Sequence, residues 1–274
     1  LYFPVPKDLF TRKNEKEKNL CFVNLTKKPE ILISEYCLKN VLINTEDFKL
    51  EEANGFIDIN SMRDYLMNKK VSIKFTEKEK IFIAERKTGI KRNRKTLFSE
   101  EGYLYRIPMI RLKKEANLFI QLEGLSSYPD QGLLQLGGEG RMAKIEKCSN
   151  DLLETLKNIK FKNEIFKLYL ATPAIFKNGW LPEWINKQSL EGNYNGIKIK
   201  LIGCSIGKYN LIGGWDLARK EPKPMYKAVS AGSVYYFQIL DDTPAEKIKQ
   251  KFHLKNISDI NSQEGFGLGL VGEV

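Results

Sequence analysis

The chain has 274 residues, with 45 Lys and Arg against 34 Asp and Glu, a formal net charge of +11 and a mean hydropathy of −0.38. A chain of that length buries a proper core, in one large domain or two ordinary ones, without disulfide staples. No apolar run approaches the ~20 residues that a membrane-crossing helix needs, and the first residues lack the basic-then-apolar order of a secretory signal, so a cytoplasmic protein with no membrane partner is expected.

The chain opens without methionine on LYFPVPKDLF, which reads like the inside of a domain, and a missing N-terminal fragment is expected. Residues 48 to 83 carry a mixed signal, partly helical around SMRDYLMNK. From Lys80 to Lys114 eleven Lys or Arg accompany three acids, so 8 of the 11 net charges lie in this one stretch. Inside it RKTGIKRNRKT gathers Arg86, Lys87, Lys91, Arg92, Arg94 and Lys95 around Gly89, which by composition is a mobile cationic loop. Such a patch suits RNA or DNA phosphates; a merely solvated loop is the alternative.

Strands are expected where aromatic or β-branched residues alternate with polar ones. These are LYRIPMIRL (104–112), NLFIQLEGL (117–125), IFKLYLATPAIF (165–176), GIKIKLIGCSIG (196–207) and SVYYFQIL (233–240). Two helices are expected. SNDLLETLKNI (149–159) has Ser149 as cap and Leu152, Leu153 and Leu156 on one face. TPAEKIKQKFHL (243–254) has Thr243 as cap, Pro244 at the first helical position, and Ile248 four residues before Phe252. Without a regular strand-helix rhythm or a fixed-period repeat, the pattern implies an α+β fold with mainly antiparallel sheets.

Between these elements lies LLQLGGEGRMAK (133–144). Its GEGRMA satisfies a loose dinucleotide fingerprint, but RMAKIEKC alternates like a strand where that motif requires a helix. A Walker loop fails as well, because Gly132 and Gly137 are followed by Gly138 and Glu139 instead of Lys and Ser or Thr. What remains is a strand, a glycine bend and a second strand bearing Arg141 and Lys144, either an RNA-facing edge or a tight structural turn. Residues 210 to 237 interleave Arg219, Lys220, Lys223 and Lys227 with Trp215 and Tyr226, which suits single-stranded RNA or a plain hairpin. In the C-terminal EGFGLGLVGEV, alternate glycines admit either a phosphate or another backbone.

Catalytic signals are sparse. His253, the single histidine, reads as a surface or boundary residue rather than a catalyst. The acid pairs Asp241 with Asp242 and Glu51 with Glu52 stand at polar or turn positions, and no metal or other cofactor is assigned to them. Cys21, Cys37, Cys148 and Cys204 lack zinc-ligand spacing and read as buried, reduced thiols.

Several blocks together resemble a known family. They are YFPVPKDL (2–9), ERKTGIKRNRKT followed by EGYLYRI (85–107), LGGEGRMA (136–143), LYLATPAIFKNGWLPEW (168–184), GGWDLARKEPKPMYKAVSAGSVYYF (213–237) and GFGLGLVG (265–272). In this order they resemble the third-named subunit of Cmr-type (type III-B) CRISPR effector complexes, a repeat-associated mysterious protein (RAMP). The resemblance implies two ferredoxin-like βαββαβ domains, here a remainder of the first in 1–148, carrying the basic insertion, and the second in 149–274. It implies a non-enzymatic role in antiviral defence: holding the 5′ tag of the guide RNA, and docking the large polymerase-like signalling subunit beside the backbone subunit. It also implies RNA-facing roles for Arg86, Lys91, Arg92, Arg94 and Lys95, for Gly137, Gly138, Gly140, Arg141 and Lys144, and for Lys220, Lys223, Lys227 and Ser230. A guide-processing endoribonuclease and a protein-only adaptor are the competing readings.

Overall fold

The computed structural model describes residues 1–14, 19–32, 34–44, 47–69, 73, 75–137, 140–159 and 164–274. Helices are few and each strand pairing among the described residues is antiparallel, an α+β architecture. The chain forms two compact units. The larger contains Tyr2–Lys78 and Thr155–Val274, the smaller Glu79–Glu154 together with Leu1.

The larger unit is organised by a six-stranded sheet. Its spatial order is Glu191–Tyr194, Ile197–Ser205, Val234–Ile239, Ile165–Leu170, Leu268–Glu273 and Lys255–Asn256. Ile165–Leu170 lies inside the sheet and is buried on both faces from Phe166 onward, which is why IFKLYL reads as an unbroken apolar run apart from Lys167. On one face Phe166, Leu168 and Leu170 join Tyr235, Phe237, Leu201 and Val271 in a core closed by Ile248 and Phe252 of helix Ala245–Phe252. On the other, Lys167 and Tyr169 meet Tyr65 of helix Ile59–Leu66. That helix starts where the Asp58 carboxylate accepts the Ser61 N–H at 2.9 Å, an N-cap that satisfies an otherwise orphaned donor.

The N-terminal block YFPVPKDL is part of this core. Phe3, Val5 and Leu9 are buried, and Tyr2–Pro4 pairs with Gly55–Asp58. Asp8 is buried too and accepts hydrogen bonds from the Tyr65 hydroxyl at 2.7 and 2.9 Å and the Tyr236 hydroxyl at 2.5 Å. The backbone of Lys7 donates to Gly232 O at 2.8 Å, and its carbonyl accepts from the Ser205 hydroxyl at 2.7 Å.

Glycines in the C-terminal strand approach the protein's own backbone. A Cβ on Gly272 would sit 2.5 Å from Leu66 O, and one on Gly269 would sit 2.9 Å from Phe252 O. The strand is thus pressed between the two helices, and the structure supplies a protein neighbour where a phosphate was the alternative. Gly272→Ala is expected to destabilise the larger unit by about 1–3 kcal/mol through overpacking, seen as a lower urea midpoint.

Several expected elements differ. NLFIQLEGL (117–125) forms no strand: Leu118, Ile120 and Leu122 are exposed, and alternation without a partner strand has no ladder to join. IFKLYLATPAIF leaves the sheet at Leu170; Ala171 donates to Leu268 O, and Pro173 has no donor to continue a ladder. Beyond it the chain is held irregularly, with Ile175 N–H on the Ser258 hydroxyl and the N–H groups of Lys177 and Glu183 on the Asp259 carboxylate.

The helix expected over 149–159 shrinks to Glu154–Lys157. Asp151, not Ser149, takes the Leu153 N–H, although Leu153, Leu156 and Ile159 are buried as an apolar face should be. The helix expected over 243–254 begins at Ala245. Thr243 spends its N–H on Asp241, and the extended Pro244 occupies the cap position without a side-chain bond. The cysteines are free; Cys37 and Cys148 are exposed, Cys21 is partly so, and Cys204, in strand Ile197–Ser205, packs against the core, where burial pushes its thiol up to about 12. Among the described residues no helix is long and apolar enough to cross a membrane.

Candidate nucleic-acid interface

The basic stretch is not a loop. Phe82–Arg92 is a strand paired with Ser99–Leu112 in a long hairpin, because the residues around the cations alternate and find a partner in EGYLYRIPMIRL. Asn93 makes the turn: its side-chain oxygen accepts the N–H groups of Lys95 and Thr96 at 2.9 and 3.1 Å, and Leu97 adopts a positive φ of 61°. Arg94 and Lys95 therefore sit exposed at the hairpin tip, and Arg92 Nε donates to Leu97 O at 3.0 Å.

Residues opposite each other in an antiparallel pair share a face, so the register sorts the cations. One face holds Arg86 opposite Pro108, Thr88 opposite Arg106 and Ile90 opposite Leu104, with Arg92 following by alternation. The other holds Glu85 opposite Met109, Lys87 opposite Ile107 and Gly89 opposite Tyr105. On this second face Lys91 Nζ lies 4.3 Å above the centre of the Tyr103 ring and 2.7 Å from the Glu100 carboxylate. A Cβ on Gly89 would strike the Tyr105 ring at 2.3 Å, so glycine there lets the ring lie across the strand. Both rings remain accessible, Tyr103 at 53% and Tyr105 at 44%. Arg111 is held by Glu85 at 2.6 Å, a hydrogen-bonded ion pair that raises its pKa.

LLQLGGEGRMAK forms a second hairpin, Gln131–Gln135 with Met142–Glu146, closed by Leu136 N–H on Arg141 O at 3.0 Å. Gly137 and Gly140 have φ of +80° and +66°, so the glycines serve the turn; Gly138 lies outside the described residues. Among the described residues no atom lies within 4 Å of a Cβ built on Gly137 or Gly140. The Arg141 guanidinium meets Met109 Sδ, bringing this turn to the second face of the long hairpin. Lys144 is ion-paired with Glu146, whose carboxyl it holds below the usual carboxylate range.

Lys220, Lys223, Lys227 and Ser230 belong to the larger unit. The lysines lie on a third hairpin, Asn210–Ile212 with Tyr226–Ala228, continued outward as Trp215–Asp216 with Glu221–Pro222. Ser230 is buried, its hydroxyl 3.5 Å from that of Ser233. Three side chains that the sequence reading missed, Tyr103, Tyr105 and Arg106, complete the long hairpin. Their signal was the run YLYR opposite RKTGI, visible only once the two are read as partners.

His253 is buried, not at the surface or a boundary. Its Nε2 lies 2.9 Å from Leu156 O and its Nδ1 accepts the Val271 N–H at 3.1 Å, so the neutral ring protonated on Nε2 fits both contacts. Burial pulls its pKa down to about 4. No cluster of three or more His, Cys, Asp or Glu among the described residues is arranged to hold a metal.

A family model described as CRISPR-associated protein (Cas_Cmr3) matches residues 1–274. A curated relative, the CRISPR system CMR subunit Cmr3 of Saccharolobus solfataricus (strain ATCC 35092 / DSM 1617 / JCM 11322 / P2), is 26% identical over 172 residues, covering 61% of this chain and 49% of the relative. The chain thus spans about half the length of that relative. Among solved structures, a chain of the Type III-B Cmr-beta bound to cognate target RNA aligns with a TM-score of 0.43 at 16% identity, covering 86% of each chain. A chain of the same assembly with cognate target RNA and AMPPnP, state 1, aligns at 0.42 and 18% identity, covering 85% of this chain and 67% of that one. With the family model matching from first residue to last, the chain belongs to the CRISPR-associated Cmr3 family.

Proposed function

We propose that the chain is a non-catalytic RNA-binding subunit of a type III-B (Cmr) CRISPR effector complex in antiviral defence. It holds the 5′ tag of the guide RNA on the Phe82–Leu112 hairpin and docks the large polymerase-like signalling subunit and the backbone subunit. The observation that carries this reading is the hairpin itself: exposed cations on both faces, with two accessible tyrosine rings beside Lys91. Cations along a strand meet phosphates, while rings offer bases a surface on which to stack. Arg86, Arg92, Arg94, Lys95, Arg141 and Lys144 are the further phosphate contacts, and the turn at Gly137 and Gly140 admits close approach. Lys144 must leave Glu146 to take part.

The two expected domains fit this proposal. In 149–274 the strands Ile165–Leu170, Ile197–Ser205, Val234–Ile239 and Leu268–Glu273 lie in the fourth-first-third-second order of a βαββαβ sheet. Helix Ala245–Phe252 takes the second helical place, and the irregular 171–190 segment takes the first. Residues 1–148 then belong to the first such domain, with the hairpins as its insertion.

In the reconstituted complex, Arg86→Ala combined with Arg106→Ala is expected to flatten the dependence of log affinity on log salt by about 1–2. Tyr105→Ala is expected to weaken tag binding by roughly 5- to 100-fold, the worth of about one stacked base, without altering that slope. An unchanged affinity and slope in both variants would remove the hairpin from the RNA path. The endoribonuclease reading predicts cleavage of repeat RNA by the purified chain and its loss in His253→Ala. With both ring nitrogens engaged inside the fold, no cleavage is expected.

A further inference from the structure

We propose that the hairpin of residues 209–228 is a docking surface for a protein partner whose matching surface is an apolar depression edged by carboxylates. This rests on the complex membership proposed above, and gives the hairpin's lysines a protein to meet where RNA was expected.

The register defines the surface. Leu211 stands opposite Lys227, so the two share a face, and Lys227 Nζ lies 5.2 Å from the centre of the Tyr209 ring. Met225, two residues along the same strand direction, lies over Gly213, where an added Cβ would be 2.9 Å from its Cε. Tyr209, Leu211 and Met225 are 58, 62 and 65% exposed, and the outer tier adds Trp215 at 56% and Leu217 at 84%. Large apolar side chains grouped on one projecting element mark an interaction site rather than ordinary surface scatter.

The composition of this face separates a protein from an RNA. Leu211, Leu217 and Met225 have neither a ring for a base to stack on nor a donor for phosphate. On the long hairpin Tyr103 and Tyr105 share a face with Lys87 and Lys91, and Arg86, Arg92 and Arg106 lie on the opposite face. Met and Trp surrounded by a polar rim is the composition of protein interface centres.

The rim gives the partner's charge. Lys208, Lys220 and Lys223 are exposed around the apolar residues. The two acids of the hairpin are occupied internally: Asp216 accepts the N–H groups of Ala218 and Arg219 at 2.9 and 3.0 Å, and Glu221 lies 3.7 Å from Arg219. Lys223 lays its stem against Gly214, with Cδ 3.5 Å from the position of an added Cβ, which leaves its ammonium to the periphery. Carboxylates on the opposing surface complement that rim.

Two photo-crosslinking variants test the idea in the reconstituted effector complex carrying guide RNA: Leu211→benzoylphenylalanine and, separately, Tyr105→benzoylphenylalanine. The expected result is a protein adduct from position 211 and an RNA adduct from position 105. RNA adducts from position 211, or none beside a productive position 105, would overturn the docking proposal alone. A silent position 105 beside a protein adduct at 211 would instead strike at the RNA reading. Leu211→Asp with Met225→Asp is further expected to weaken association with the crosslinked subunit at least about tenfold, with an unchanged thermal midpoint. Unchanged association would overturn the proposal, and failure of the unmutated chain to assemble would sink both readings.

Discussion

Asp8→Ala is expected to cost the larger unit about 3–5 kcal/mol, a large share of the ~5–15 kcal/mol that stabilises an ordinary domain. The Asp8 carboxylate is the acceptor for two buried phenols, Tyr65 and Tyr236. Lys167 is buried on the same face of the sheet with its Nζ 3.8 Å above the centre of the Tyr65 ring. Burial pulls the Lys167 pKa down to about 8, against the opposing pull of Asp8 and Glu273, so at neutral pH the ammonium is retained, with the Asp8 carboxylate as the stronger of the two countercharges. Truncating Asp8 leaves two hydroxyls without an acceptor and a buried cation with less to balance it. Each loss costs more than the intact arrangement gains, because desolvation has already been suffered.

A double-mutant cycle separates this from simple cavity formation. Asp8→Asn keeps an acceptor but removes the charge, and is expected to cost about half as much as Asp8→Ala. Adding Lys167→Met to Asp8→Asn is expected to restore stability to within about 1 kcal/mol of the unmutated protein, since both buried charges are then gone. Denaturant midpoints of the two single variants and the pair measure the coupling. Strictly additive losses would mean that Asp8 and Lys167 do not sense each other.

That centre shows why part of the molecule was opaque in the sequence. Tyr65 and Tyr236 lie 57 and 228 residues from Asp8, and nothing in YFPVPKDL announces that its acid turns inward. Three strands of the main sheet, Ile165–Leu170, Ile197–Ser205 and Val234–Ile239, were legible because they carry their own apolar pattern; the short Glu191–Tyr194 and Lys255–Asn256 carry none and were not. NLFIQLEGL carries the same pattern and forms no strand, because alternation advertises a face but does not supply the neighbour that would pair with it. The cation cluster was legible as charge, and its division between two faces was not, since a shift of one residue in register would exchange them. Glycines 269 and 272 were legible as sites of close approach, yet only the fold shows that the helices, not a phosphate, come close.

The second large effect is a loss of stability in mild acid, carried by the single histidine. The unfolded chain takes up the His253 proton near pH 6.5, whereas the folded ring, desolvated and hydrogen-bonded to Leu156 and Val271, holds off until about pH 4. Between those values the unfolded state binds more protons than the folded one, so stability rises with pH across this window. The neutral ring's contribution is essentially complete at pH 7 and is lost as the pH falls through 6.5 toward 4. At pH 5 the expected loss relative to pH 7 is about 2 kcal/mol. Asp259, whose carboxyl is raised by partial burial, works with the opposite sign, because a folded state that binds its proton first is favoured as the pH falls. Urea midpoints at pH 7, 6 and 5 should therefore fall steeply in the unmutated protein. In His253→Gln, which retains an N–H for Leu156 O but has no ring to titrate, they should fall little over the same range. Parallel slopes for the two proteins would show that some group other than His253 takes up the proton, and the internal contacts of its ring would then not control the acid limb.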